Sequence, residues 1–580
     1  MKKLPLYLFT LLLVLLPLKF GGLAVMTEAG GFYPENGFDW LFITWPPHSL
    51  GYFGGGLLLL ILLSGNWHLS RRESLLVGLW SLGSVLAVLP GMFRGEMVIA
   101  LGEISLLFGA GSVIFSGALL AEKYPQWVEK FAAAIIVGGV LTAFYGWHQH
   151  IFALDEMRNF VAEQEAAGIP LSDGMRLKLT DPRIYSTLAS SNTLASMLMI
   201  MLILGWYLGG KWSVHVTPPV GAKYAFRLFF VILFVSVLVL TRSRSALFCP
   251  LAAGMIALFS CPGIRRSWRL AGIILGALVV AAGILFAVHF GRGMASMGER
   301  ADYLRSSAVL CMKYPLAGAG WGGFFRAHMQ MKQSPVMESA RDPHNVVASF
   351  ASQCGVVSGV MMLAVLLMPL AVLWKKRFDG SFPCAVFWCG TIFTLHSLMD
   401  CDWQVPALVA IMGVLYALAI LPQEPEDDGG GKWRRQLNRM AAVIVAAGGI
   451  WSSYWYISGD KALSMLMDRV HPPTPEAAAA LSVYPVELLA EKAASWRPES
   501  AVIPMTLGDW YFRTGSPELA EKSYQQALQL DPARPAAFAR LARIALLRGD
   551  RENAEKLMLK AHALFPKSAN YTITALYENN

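Results

Sequence analysis

About 13 apolar stretches, each roughly 17 to 25 residues long and nearly free of Asp, Glu, Lys and Arg, run through the first four-fifths of the chain. Each is long enough to cross a hydrocarbon core of about 30 Å. No water reaches backbone polar groups there, so such stretches have to be helices that satisfy their own N–H and C=O groups. They run approximately 5–26, 49–65, 73–92, 97–121, 131–153, 185–209, 224–241, 245–262, 270–290, 346–374, 382–398, 404–421 and 439–458. The composition agrees: 55% of the 580 residues are hydrophobic and only 15% charged, against about one quarter charged in a soluble domain. The predicted fold is therefore all-α, a polytopic transmembrane bundle. The first stretch opens like a secretion signal, but Gly21 to Met26 extend it and no small-x-small cleavage site follows, so it is read as a retained first span.

A net charge of +9 does not point to nucleic acid, because the basic residues sit in short clusters between spans. Arg71 and Arg72, Lys123 and Lys130, Lys211, Lys223 and Arg227, Arg265, Arg266 and Arg269, Lys375 to Arg377, and Lys432 to Arg439 mark alternate connections. With Lys2 and Lys3 they are assigned to the cytoplasm by the positive-inside rule. The opposite connections are acidic or mixed, as at Glu28, Glu35 and Asp39, and at Asp155, Glu156, Glu163, Glu165, Asp173 and Asp181. The N-terminus is thus predicted inside, with the tail after Ser458 and two long connections, 154–184 and 291–345, outside. Connections of that length usually carry function when they are ordered. The seven cysteines form no CxxC pair and lie mostly in or beside apolar runs, so neither a disulfide framework nor a metal site is expected.

The tail, 459–580, has a different composition. Leu507, Gly508, Tyr511, Ala520, Tyr524, Ala527 and Pro532 are echoed 34 positions later by Leu541, Ala542, Ala545, Ala554, Met558, Ala561 and Pro566. That period resembles tetratricopeptide repeats, with Ala493 and Pro498 fitting a more degenerate preceding copy. The expectation is about three stacked helical hairpins that bind or position a protein partner.

Polar residues at the outer ends of spans are costly unless satisfied, and four such segments stand out. DPRIYSTLASSN leads into the sixth span with Arg183 and Asn192; TRSRSAL carries Arg242 and Arg244 in a very short outer connection. GERADYLRSS carries Arg300, Tyr303 and Arg305 ahead of a Gly-rich turn, and RDPHN carries Arg341, Asp342, His344 and Asn345 at the start of the tenth span. Taken singly, each has a bland reading: interfacial anchors, snorkelling arginines, a helix-helix amide contact, a capping histidine. Together they are arginines where arginine is disfavoured, and a guanidinium fork matches phosphate oxygens without a metal. Pro343 and Asn345 are helix-start residues, which sets His344 beside an electropositive helix end.

At these segments the chain resembles the O-antigen ligase and O-antigen polymerase superfamily over most of 185–420. The likeness rests on Ser243-Arg244-Ser245, on Arg300 leading to Tyr314-Pro315-Leu316-Ala317-Gly318-Ala319-Gly320, and on His344-Asn345 before Gly355-Val356-Val357-Ser358-Gly359. The family often has Pro-Asn where Ser191-Asn192 stands, Gly where Ser245 stands, and an aromatic near Leu304. The resemblance implies a GT-C-like transmembrane domain (1–458) in a bacterial inner membrane, with its active site at the outer leaflet and the 291–345 loop contributing. It implies transfer of a glycan from an undecaprenyl diphosphate carrier to a hydroxyl on a lipid, a protein or another glycan, with no cofactor. Arg183, Arg242, Arg244, Arg300, Arg305 and Arg341 are then candidates for the diphosphate, with Asn192 and Asn345 beside them. His344 is the candidate base, and Asp342 or Asp302 an alternative base or its orienting group. Ligase and polymerase share the donor and differ in acceptor. A transporter would show carboxylates in mid-membrane, where Glu103 is the main one, and a noncatalytic scaffold would have no use for the outer arginines.

Overall fold

The computed structural model describes residues 3–22, 33–34, 36–65, 67, 69, 77–92, 94, 97–166, 179–188, 190–215, 224–267, 270–274, 276, 292–333, 340–420, 432–472, 481–566 and 568–578. Among these the chain is helical, with no strand. Among the described residues five helices are long and apolar enough to cross a membrane: Ile99–Lys123, Pro125–Ala166, Ser191–Lys211, Val356–Lys376 and Gln436–Val470. Shorter apolar helices cover Leu4–Lys19, Pro47–Leu63, Ala225–Leu240, Ser245–Ser260, Phe382–Ser397 and Pro406–Ala419. The chain is an integral membrane protein. Most of the expected ninth span, 270–290, lies outside the described residues.

Ile99–Lys123 is the central helix, 94% buried in its most apolar window. Leu50–Leu63, Pro406–Ala419 and Lys432–Val470 pack around it. The approach is close because small residues face one another: a Cβ on Gly51 would stand 2.4 Å from the Gly449 carbonyl oxygen, and one on Gly54 would stand 2.9 Å from that of Gly109. Small residues let membrane helices gain dispersion contacts where lipid offers no hydrophobic drive.

The expected tenth span is not one helix. Val346–Cys354 ends at Gly355, which has φ +101°, and Val356–Leu373 starts afresh. The Gly-rich turn 315–322 docks across the gap. Val356 N–H donates to the Pro315 carbonyl (2.8 Å), Ala319 N–H to that of Ser352 (2.8 Å), and Gly320 N–H to that of Gln353 (3.1 Å). The Gln353 side-chain oxygen accepts from Gly322 N–H at 2.8 Å. Gly318, at φ +63°, sits so close that a Cβ would lie 2.2 Å from the Gln353 carbonyl carbon. The glycines are needed there both for the left-handed backbone and for this approach. The broken helix and the docked turn satisfy each other's backbone groups, and together they position His344 at the start of Val346–Cys354.

The last apolar stretch runs on well past 458, as one 39-residue helix, Lys432–Val470. Beyond it, Val502–Arg513 pairs with Pro517–Leu530, and Pro535–Leu547 with Arg551–Leu564. Ala520, Tyr524 and Ala527 are buried, as are Ala554, Met558 and Ala561 at the echoing positions. Several polar contacts tie the tail to the long helix and to the rest of the chain. Arg497 Nη2 pairs with Asp460 Oδ1 at 3.0 Å, both buried, and Tyr33 Oη donates to the other Asp460 oxygen at 2.6 Å. Arg326, on the Gly323–Met331 helix of the long connection, pairs with Asp531 at 3.1 Å.

Candidate active site

His344 precedes the helix Val346–Cys354. Asn345 caps that helix, its Oδ1 accepting from Ala348 N–H at 2.9 Å, and its amide donates to the Leu398 carbonyl at 2.8 Å. His344 itself has φ +53°, an unusual conformation for a side-chain-bearing residue that surrounding contacts have to hold. Asp342 supplies one of them. Its Oδ1 accepts from His344 N–H at 2.9 Å, and its Oδ2 accepts from Ser349 Oγ and, at 3.0 Å, from Gln404 Nε2. Burial pushes the Asp342 carboxyl up from the ordinary carboxylate range, more than these donors pull it down.

Opposite His344 lies Asp400, in the connection that follows Phe382–Ser397. His344 Nδ1 stands 3.1 Å from Asp400 Oδ1, and Asn192 Nδ2 donates to Asp400 Oδ2 at 2.5 Å. Burial works against the Asp400 charge. The hydrogen bond and charge of His344, together with the charge of His396 and the Cys401 N–H, outweigh it and hold the carboxyl well below the ordinary range. The Tyr303 ring stacks on His344, with centroids 5.6 Å apart.

These groups line a cleft of about 910 Å³ together with Arg183, Arg242, Arg244, Arg300, Asn192, Ser245, Glu299 and Cys401. Arg242, at φ +49°, and Arg244 come from the link between Ala225–Leu240 and Ser245–Ser260, and Arg300 from Arg292–Lys313. Among the described residues none of Arg242, Arg244 and Arg300 forms an ion pair with a carboxylate. Arg183 differs: its guanidinium grips Asp181 through Nε (2.9 Å) and Nη2 (2.6 Å). That grip outweighs burial and holds the Asp181 carboxyl below its ordinary range.

Of the residues singled out in the sequence, the cleft thus gathers Arg183, Asn192, Arg242, Arg244, Arg300 and His344. Five do not line it. Arg305 is exposed farther along the same helix as Arg300. The Arg341 guanidinium lies over the Phe325 ring, 5.5 Å from its centroid. Asp342 and Asn345 stand behind His344 and hold its backbone and helix. Asp302 is buried and accepts from Gln333 N–H at 3.2 Å.

Asp400 escaped the sequence reading, yet its signal was there: HSLMDCDWQVP is another outer span end with two carboxylates, which is the criterion that found the arginines. His344, Asp400 and Cys401 bring their ligand atoms within 4.8 Å of one another, a metal-sized grouping. Burial and the neighbouring carboxylates push the Cys401 thiol well above its usual range.

Chemically, the cleft offers cationic forks for a doubly charged anion, a histidine braced by a carboxylate, and room for a second reactant. A search of the curated proteins finds no match to the chain. The segment that holds Arg242, Arg244, Arg300 and His344 does carry a likeness: residues 228–363 match the family model described as O-antigen ligase, which supports a ligase-type role in membrane glycan transfer.

Proposed function

We propose that the protein transfers a glycan from a polyprenyl diphosphate carrier to a hydroxyl acceptor at the outer face of a bacterial inner membrane, with its N-terminus cytoplasmic. The observation that carries this reading is the cleft itself: Arg242, Arg244 and Arg300, without carboxylate partners among the described residues, facing the His344–Asp400 pair. Guanidinium forks bind diphosphate oxygens and stabilise the charge that grows on them as the anomeric C–O bond breaks. Diphosphate leaves readily, so no general acid is demanded. The acceptor hydroxyl needs a base. His344 takes its proton as the new C–O bond forms, and Asp400 stabilises the imidazolium that results. One in-line displacement inverts the anomeric centre. Arg183, already neutralised by Asp181, steers rather than clamps. The tail acts as a tetratricopeptide-like module that positions a protein partner.

The experiment supplies the purified protein with a polyprenyl-diphosphate-linked glycan and candidate acceptors, and follows carrier diphosphate release for wild type, Arg300→Ala and His344→Ala. Release that needs both residues supports the reading. A single-step product marks a ligase and a growing ladder a polymerase. A folded protein that releases nothing from any such donor overturns it.

A further inference from the structure

Behind the cleft runs an unbroken line of polar contacts that the mechanism above does not use. From Asp400 it passes to Asn192 Nδ2 (2.5 Å), from Asn192 Oδ1 to Ser243 Oγ (2.8 Å), on to Ser245 Oγ (2.7 Å) and then to His396 Nε2 (2.7 Å). His396 Nδ1 lies 2.8 Å from Asp402 Oδ2, which also accepts from Ser196 Oγ at 2.6 Å. His396 and Asp402 are both fully buried.

Counting hydrogens gives the line a direction. An ionised carboxylate only accepts, so the Asn192 nitrogen has to face Asp400, which turns its oxygen to Ser243. A serine hydroxyl has one hydrogen. Ser243 spends its own on Asn192 and therefore accepts from Ser245. Ser245 has then spent its own, so the hydrogen between it and His396 belongs to Nε2. The other tautomer of His396 would reverse both serines and set the Ser243 and Asn192 oxygens lone pair to lone pair at 2.8 Å. At the far end Asp400 Oδ1 accepts from His344 Nδ1, so neutral His344 keeps its acceptor lone pair on Nε2.

We propose that His396, backed by Asp402, is a positioning residue: it originates a one-way hydrogen-bond chain through Ser245, Ser243 and Asn192 that orients Asp400 and so fixes which nitrogen of His344 serves as base. The inference rests on the reading of His344 as base in glycan transfer. It explains why a buried histidine and carboxylate, with no access to a reactant, are retained so near the cleft, where such groups are costly.

The test reads the tautomer and the kinetics separately. The full chain, labelled with 15N-histidine in lipid bilayers, reports the His344 tautomer, its signals assigned by difference against His344→Gln. Wild type should show His344 protonated at Nδ1, and so should Ser243→Thr, which keeps the hydroxyl. His396→Gln, whose amide can still donate to Ser245, should do the same. Ser243→Ala and His396→Leu should shift His344 towards the Nε2-protonated form and lower kcat by roughly 3- to 10-fold, the weight of a lost neutral hydrogen bond, with donor KM changed less. Ser243→Ala covers the case in which His396→Leu does not fold. An unchanged His344 tautomer and kcat in folded Ser243→Ala overturns the proposal, as does a His396→Gln no better than His396→Leu. The tautomer needs no substrate. If it responds as expected while wild type transfers no glycan, the chain stands and the glycosyltransferase reading falls.

Discussion

Arg497 and Arg300 carry the same guanidinium, but they stand in opposite circumstances. Arg497 is 6% exposed, pairs with the buried Asp460 and lies 5.2 Å from the Tyr456 ring centroid. Arg300 opens on the cleft with Arg183, Arg242 and Arg244 and, among the described residues, forms no ion pair with a carboxylate. The first cation is answered by the protein itself and joins two parts of the chain. The second leaves its answer to something that arrives. Gathering arginines in excess of the carboxylates that pair with them costs self-repulsion, and in a membrane protein that cost marks where an anionic reactant docks more sharply than a lone arginine does.

Variants can break this comparison. The largest effect is expected at His344→Ala, where loss of a general base should lower kcat by about 10²- to 10⁴-fold. Binding of a labelled carrier diphosphate to the same variant should stay near wild type; a parallel loss of binding would merge base and anion site into one function. Next is Arg497→Leu, which leaves the buried Asp460 without its cation, though still bonded to Tyr33, and should cost about 3–5 kcal/mol. Thermal unfolding of the purified protein checks this, with Arg244→Ala as its counterpart, expected within about 0.5 kcal/mol of wild type because the position is exposed. If the cleft variant were the less stable of the two, the division between holding and binding arginines would fail. A subtler change, Arg244→Lys, keeps the charge but loses the planar fork, and donor KM should rise about 10-fold with kcat little affected. The smallest effect is expected at Arg326→Ala. Its partly exposed bridge to Asp531 should contribute no more than about 1 kcal/mol, seen as slightly faster proteolysis of the tail and no change in glycan transfer without a protein acceptor.

Much of this architecture was legible in the chain because apolar length and charge placement act locally. The helices at 97–123, 128–148 and 382–397 lie close to where hydropathy set them, and the one expected at 185–209 runs from 191 to 215; in the tail, Ala520, Tyr524 and Ala527 and their echoes Ala554, Met558 and Ala561 are buried. The break at Gly355 was hidden for a physical reason. Its flanks are apolar on both sides, and only the turn at 315–322, distant in sequence, supplies the hydrogen bonds that make a broken helix tolerable in that setting. The candidate site divides the same way. Arg242, Arg244, Arg300 and His344 were visible because charge is conspicuous at a membrane surface. Asp400 and Asp402 were overlooked as the end of an apolar helix, and Asn345 and Asp342 turned out to hold His344 from behind, a distinction that depends on which side of a loop faces the cleft.

The 39-residue helix Lys432–Val470 has a mechanical consequence. At 1.5 Å per residue it is a strut of about 58 Å, planted among the central helices at one end and ending at the tail. Because Arg497 holds the first tail segment onto Asp460 along that strut, the bearing of that segment is set by helical phase. Each residue added to the strut would turn everything beyond it by about 100°, so the tail keeps a compass heading that is counted out in residues.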